Sequence, residues 1–494
     1  MIERYADKET IIIWSNENKL MFWQKTELAV IKAMTNLGWI SESDYLVIEE
    51  ALEKNPIDIK WWLEKESELK HDLNAFVEER RRFLPPNLQK HFHELITSYD
   101  TEEPAFAAML KESIEIVKRY YFDFSKTLII MAPKYRFTVM NGRTHGQEAK
   151  LQSFGKRILT WIQDLRTDFD LLGKTEEYLQ YSKLSGAIGN YGSIDPRLEE
   201  EALKILGFKP YYGATQIIPR EIYTPIAYAL SQIVLTLNKI AISIRLGARS
   251  GHPIFQEPFS KKQTGSSAMP HKKNTISTEQ IEGMARMGKG NLNMIIDNIS
   301  TWEERAIEQS SVERVAWPDL FHVVVHSLKT MTRVLQGLVV YPDNMLLEIV
   351  ESRGTYASDE AKELLKKLGE PYGLTVEECY RIIQLAAFNA FEPSDEIEKI
   401  RTNVPRSLIE ADEALVMLQQ ITKSNPTSIR DIIAEGNLKI SPQLDITKEE
   451  VQKWNRTLKQ IFSKPTNLDH WNQIFLPSYL LRNEVKLYQE ILRA

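Results

Sequence analysis

Apolar residues recur along this chain at the three-to-four-residue interval of a helix face, and they do so almost throughout. The clearest cases are Asn18 to Leu37, Leu151 to Leu172, Ile222 to Leu246 and Ile281 to Ile296. Alternating polar and β-branched runs are scarce, and no glycine-rich phosphate loop follows an expected strand. The mid-chain helices read as unusually long and apolar, which suits bundle packing and association between subunits. The expected architecture is all-α, in three helical domains. These are residues 1–104, ending near Pro104; 105–348, holding a long central bundle; and 349–494, with an extension from about Ser441. In that extension Trp454, Trp471 and repeated Leu and Ile argue for packed helices, not a disordered tail.

Composition narrows the function. A chain of 494 residues can bury a large core. Lys plus Arg is 62 and Asp plus Glu is 68, a net charge of −6. That balance argues against a general nucleic-acid role, which needs a basic footprint, and leaves room for a local cationic pocket. Cys379 is the only cysteine, so neither an intrachain disulfide nor a multi-cysteine metal site can form. The start, MIERYADKETIIIW, sets charges among apolar residues and lacks a signal-peptide core. Ile222 to Leu246 is the most apolar stretch. Gln232, Asn238 and Lys239 interrupt it and Arg245 ends it, so a helix buried in a bundle reads better than a membrane span. A cytoplasmic protein with no membrane partner is expected.

Candidate chemistry concentrates between Lys261 and Glu279, KKQTGSSAMPHKKNTISTE. Ser266 and Ser267 are adjacent hydroxyls, and His271, Lys272 and Lys273 follow as cations. Gly265 loosens the backbone and Pro270 interrupts any helix. A polar loop between apolar helices is a candidate lid; a solvated basic loop is the plain alternative. Glu279 follows Lys272 by about two helical turns and shares its face if the helix starts early enough. In Met140 to Gln147, MNGRTHGQ, Asn141-Gly142 is a turn signal and Gly146 follows His145. A histidine so placed suits proton transfer near neutrality, or else caps the helix after Lys150. Taken singly, other segments are ordinary. His71-Asp72 reads as a solvent-facing or capping pair, and Thr97 to Asp100 as a helix-capping turn. Ser185 to Gly189 reads as close backbone packing, and Arg220 as the ion-pair partner of Glu221.

GSSAMPHKKN resembles the signature loop of the fumarase/aspartase superfamily, through Gly265, Ser266, Met269, Lys272 and Asn274. Arg4-Tyr5, Lys70-His71-Asp72, Thr97-Ser98-x-Asp, Thr144-His145-Gly146 and Thr215-Gln216-x-x-x-Arg220 resemble segments of its adenylosuccinate lyase branch. Trp302 to Val315, WEERAIEQSSVERV, resembles that branch's WHERDISHSSVERV. The likeness runs, with gaps, from Met1 to about residue 430.

The resemblance implies a lyase that eliminates fumarate from adenylosuccinate and from the succinyl-carboxamide ribotide. It implies a homotetramer with sites shared between subunits, acting on a small nucleotide without metal or other cofactor. In its terms Ser266 is the base, its alkoxide favoured by Lys272 in a water-poor site. His145 is the acid, Glu279 orients it, and His71 contacts substrate. Arg4, Tyr5, Lys70, Asp72, Thr97, Ser98, Gln216, Met269, Asn274, Arg305, Ser310 and Arg314 line the substrate pocket, where guanidinium and hydroxyl donors suit phosphate and carboxylates. Without the resemblance, Ser266 and Ser267 are equal candidates for the base. Glu303 and Ala306 stand where the branch carries His and Asp. Glu148 and Lys150 stand where proline and neutral residues are usual. These departures motivate one alternative, a sister lyase for another N-substituted aspartate; a further one, a non-catalytic protein on the same scaffold, is opposed by the joint presence of Ser266, Lys272, Asn274, His145 and Glu279.

Overall fold

The computed structural model of the protein describes residues 1–260, 263, 269, 272–392, 410, 428–442 and 444–493. Helices dominate, as the periodicity requires. In chain order they begin α1 (Lys8–Ile13), α2 (Asn16–Asn36), α3 (Glu42–Lys54), α4 (Ile59–Leu69), α5 (Asp72–Arg81) and α6 (Ser98–Lys134). Asp7, Ser15, Ser41 and Asp58 start the first four, each side chain accepting from backbone N–H groups of the first turn. A hairpin, β1 (Val139–Thr144) and β2 (Gln147–Ser153), then leads into α7 (Phe154–Thr175). Thus Leu151 to Ser153, read from sequence as helix, are strand. Next come α8 (Pro196–Leu206), α9 (Thr224–Gly247), α10 (Ile276–Asp297), α11 (Glu308–Gln336), α12 (Pro342–Glu351), α13 (Ser358–Gly369) and α14 (Val376–Phe391). The later helices are α15 (Ile429–Glu435), α16 (Lys448–Phe462), α17 (Pro465–Gln473), α18 (Pro477–Leu480) and α19 (Glu484–Arg493). The remaining described strands are two two-residue pairings. The fold is all-α.

By contacts the chain forms two compact units. One comprises 1–128, 161–246 and 257–338; the other comprises 129–160, 247–256 and 339–494. The first buries one face of α2 with Leu73, Phe76, Phe92, Leu198 and Leu203. Helix α9, the apolar stretch Ile222 to Leu246, buries Ile226, Leu230, Ile233, Val234, Leu237, Ile240 and Ile244. It is long and apolar enough to cross a membrane, yet most of its apolar window is buried in the protein, as expected of a core helix. Near the start of α11, Pro318 withholds the N–H that would bond the carbonyl of Arg314.

The second unit packs α13 to α17 around Cys379, Ile382, Leu385, Trp454 and Trp471. Thr375 and Thr447 open α14 and α16 with capping boxes. Trp454 and Trp471 are buried, so the extension is a packed part of this core. Burial pushes the lone thiol of Cys379 up to about 11, which keeps it protonated and inert.

Candidate active site

Most of the candidate pocket residues belong to the first unit, where three charge clusters meet at α6 and the start of α11. The innermost is structural. Arg220 is buried and donates to Glu103 at 2.5 Å, to the two oxygens of Glu313 at 2.7 and 3.0 Å, and to the carbonyl of Ile218 at 2.7 Å. The expected partner, Glu221, is not the one it uses. A guanidinium brought inside needs its whole donor fork matched, and one exposed neighbour in sequence cannot do that. Lys183 and Asp100 form a second buried pair at 2.7 Å, with Lys183 also donating to the carbonyls of Gly186 and Gln216. Asp100 in turn accepts from the backbone N–H of Thr97 at 2.9 Å, so Thr97 and Ser98 sit at a capped helix start.

Above these pairs lie the groups positioned to meet an anion. Arg305 lies 3.9 Å over the ring of Tyr99 and donates to Oε1 of Gln216 at 2.9 Å; its Nε is buried with no hydrogen-bond partner. Arg314 donates to Asp72 at 2.6 Å, and Lys19 stands 3.8 Å from the same carboxylate oxygen. Burial works against charge on Arg314, but the carboxylates of Asp72 and Glu102 outweigh it and raise its pKa. Ser310 is buried one turn earlier on the helix and bonds the carbonyl of Ile307. A pocket of ≈ 280 Å³ opens among these groups, walled by Trp14, Trp23 and Trp62 and reached by Lys19, Glu102, Ser310 and Arg314. Burial, reinforced by Asp72, pushes the Glu102 carboxyl up to about 8, against the pull of Arg314, Lys19 and Arg305.

Other candidates sit apart from this cluster. His71 is exposed and caps α5, its Nδ1 accepting from Asn74 N–H at 3.3 Å. Lys70 ends α4 in the left-handed conformation, φ 55°. Arg4 is exposed, and Tyr5 packs edge-on against His326 with ring centres 5.4 Å apart. His326 lies three turns beyond Arg314 on α11, roughly 18 Å along the axis. Ser266 lies outside the described residues, as do Gly265 and Ser267. Met269 is half exposed, and its carbonyl accepts from the backbone N–H of Lys272 at 3.0 Å. Lys272 is exposed and Asn274 partly buried. Helix α10 starts only at Ile276, so Lys272 precedes it and shares no helix face with Glu279. Glu279 pairs with Arg245 at 3.4 Å.

His145 belongs to the second unit, at the tip of the β1–β2 hairpin. Thr144 pairs with Gln147, leaving His145 and Gly146 as a two-residue turn with φ 54° and 77°. Two consecutive positive φ values define the tight turn whose twist matches its strands. The ring is therefore exposed on a rigid point, not capping a helix. The turn does not fall at Asn141-Gly142. Instead Gly142 sits at a register shift between Asn141 and Arg143, where a Cβ would come within 2.8 Å of the Lys150 carbonyl.

Lys19, Glu102 and His93 carry no motif in the sequence, and Tyr99 shows there only as part of a capping turn. His93 has φ 61° and donates its backbone N–H to buried Glu27 at 3.0 Å, its Nδ1 lying 2.8 Å from the same carboxylate. Burial opposes its charge, but Glu27 outweighs this and raises its pKa. Leu95, two residues on, also has positive φ, 68°. Non-glycine residues held there mark strain, a signal invisible in sequence.

With this geometry in hand, the relatives are informative. Residues 8–288 match the lyase family. The solved structure of fumarate lyase from Mesorhizobium sp. BNC1 superposes with a TM-score of 0.74 at 19% identity, covering 100% of both chains. That likeness fixes the class of fold. The adenylosuccinate lyase of Aquifex aeolicus (strain VF5) is 36% identical over 392 residues, 79% of this chain and 89% of that one. That of Bacillus subtilis (strain 168) is 32% identical over 432 residues, 87% and 95% respectively. The chain belongs to the adenylosuccinate lyase family of the fumarase/aspartase superfamily, and is a carbon–nitrogen lyase.

Proposed function

We propose that this enzyme eliminates fumarate from adenylosuccinate, leaving AMP, and from the succinyl-carboxamide ribotide. The observation that carries the reading is the arrangement at the start of α11. Arg314 and Ser310 line one pocket with Tyr99, and Arg305, stacked over that tyrosine ring, keeps one buried donor unspent. Buried donors in proteins are almost always paired, so a guanidinium donor held buried and unpaired suits an anionic ligand.

In the proposed reaction Ser266 removes the Cβ proton of the succinyl group and His145 protonates the departing nitrogen as the C–N bond breaks. Lys272 and Asn274 stabilise the charge that collects on the carboxylate. Arg305, Arg314 and Ser310 hold the phosphate or carboxylates, Gln216 holds Arg305, and Asp72 holds Arg314. Thr97, Ser98, Lys70, Met269, Arg4 and Tyr5 complete the pocket, His71 contacts substrate, and Glu279 orients His145. A cytoplasmic homotetramer of three-domain subunits sharing their sites belongs to the same proposal.

One departure loses its weight. Lys150 pairs with Asp359 and Glu360 on α13, a role within the second unit and not one of substrate choice. Glu303 and Ala306 still favour the sister lyase as second reading. Incubating the purified chain with adenylosuccinate and measuring AMP and fumarate decides. Equimolar release is expected. Fumarate from another aspartate adduct alone points to the sister lyase, and none from any adduct to a non-catalytic scaffold.

A further inference from the structure

The C-terminal segment lies in the same unit as the hairpin that carries His145, and its last helix bonds that hairpin at its root. Ser153 closes β2 and precedes α7. It is fully buried, and its hydroxyl accepts from Lys156 N–H at 3.0 Å, capping that helix. Glu484, the first residue of α19, accepts the Ser153 backbone N–H at 3.0 Å and its hydroxyl at 2.5 Å. The Tyr488 hydroxyl stands 3.2 Å from the same Ser153 oxygen. A Cβ on Gly155 would fall 2.1 Å from that tyrosine hydroxyl and 2.5 Å from the Ala132 carbonyl oxygen, so this packing needs glycine at residue 155. Arg136, just before β1, lies 5.1 Å over the Tyr488 ring. Higher on the hairpin, Arg143 pairs with Glu348 on α12 at 3.1 Å, and Lys150 bonds Glu360 on α13 at 3.0 Å.

We infer that α19 is a positioning element for the acid: Glu484 and Tyr488 lock the root of the hairpin so that His145 is presented at a fixed height and angle. Neither residue touches substrate. The inference rests on His145 being the proton donor. A two-residue turn transmits the pose of its strand ends directly to its tip, since no loop residue is available to absorb a tilt. A small misplacement of an acid lowers turnover steeply while leaving substrate affinity alone.

The test compares the full-length enzyme with Glu484→Ala, Glu484→Gln and Tyr488→Phe. Glutamine keeps an acceptor for the Ser153 N–H, so Glu484→Gln should match the parent. Glu484→Ala should show at least tenfold faster hydrogen exchange at amides 147–153. It should also lose at least tenfold in kcat on adenylosuccinate, with KM within twofold. Unchanged exchange and kcat in folded Glu484→Ala overturn the inference. If Glu484→Ala does not fold, Tyr488→Phe carries the test with an expected threefold loss of kcat, and no change overturns it. His145→Ala run in parallel separates the two failures. Full activity there defeats the assignment of the acid, whereas an inactive His145→Ala beside an unaffected Glu484→Ala defeats only the role of α19.

Discussion

Glu102 offers a quantitative test of the pocket's electrostatics. Its carboxyl faces Asp72, Arg314, Lys19 and Arg305, and burial lifts its pKa from 4.5 to about 8. A carboxyl raised on folding contributes its stability below the unfolded pKa and loses it as pH climbs through the folded one. The window is therefore pH 4.5 to 8, and within it the protein should become less stable as pH rises on account of this group. A shift of 8 − 4.5 = 3.5 units sets a ceiling of ~5 kcal/mol across the window. The pocket admits water and its cations can rearrange, so a measured loss of about 2 kcal/mol is the reasonable expectation. Glu102→Gln keeps the shape and removes the titration. Urea unfolding of both proteins, at one protein concentration and several pH values, should give a gap that favours the glutamine variant increasingly between pH 5 and 8. Parallel curves over that range would refute the raised pKa and with it the burial of the Glu102 carboxyl among these groups.

Arg305→Met and Arg314→Met should each raise KM by about ten- to a hundredfold, the worth of a lost charged hydrogen bond at ~1.5–3 kcal/mol; steady-state kinetics showing KM unmoved in both would end the anion-binding assignment. Arg220→Met should cost about 3–5 kcal/mol by leaving Glu103 and Glu313 buried and unpaired, read by denaturant titration, and part of that loss should return at low pH as they protonate. His145→Ala and Ser266→Ala should each be inactive alone and regain activity when dissociated and reassociated together. Hybrids confirmed by mass but lacking activity would show that the two residues do not serve one pocket from separate chains.

The helices were legible because 3.6-residue periodicity is a local property; Asn18 to Leu37, Ile222 to Leu246 and Ile281 to Ile296 fall almost wholly within α2, α9 and α10. His71 caps α5 as the plain reading of His71-Asp72 allowed. The hairpin was not legible. Asn141-Gly142 carries the stronger turn composition, but the pairing of the whole hairpin, closed at its far end by Val139 with Ser153, decides the register, and turn composition does not show that. Arg220 was assigned to its neighbour Glu221 because sequence shows proximity and not burial. Glu102 went unnoticed for the same reason: its raised proton affinity arises from burial, reinforced by Asp72 on α5, and only folding supplies either.

The lone thiol at Cys379 has a practical consequence. It lies fully buried in the second unit, while eight of the ten tryptophans, all but Trp454 and Trp471, lie in the first. Pulsed labelling of the thiol would therefore report when one half of the chain comes apart, and fluorescence chiefly the other. Two clocks are thus built into one polypeptide, and whether they strike together tells whether the halves melt as one cooperative body or in sequence.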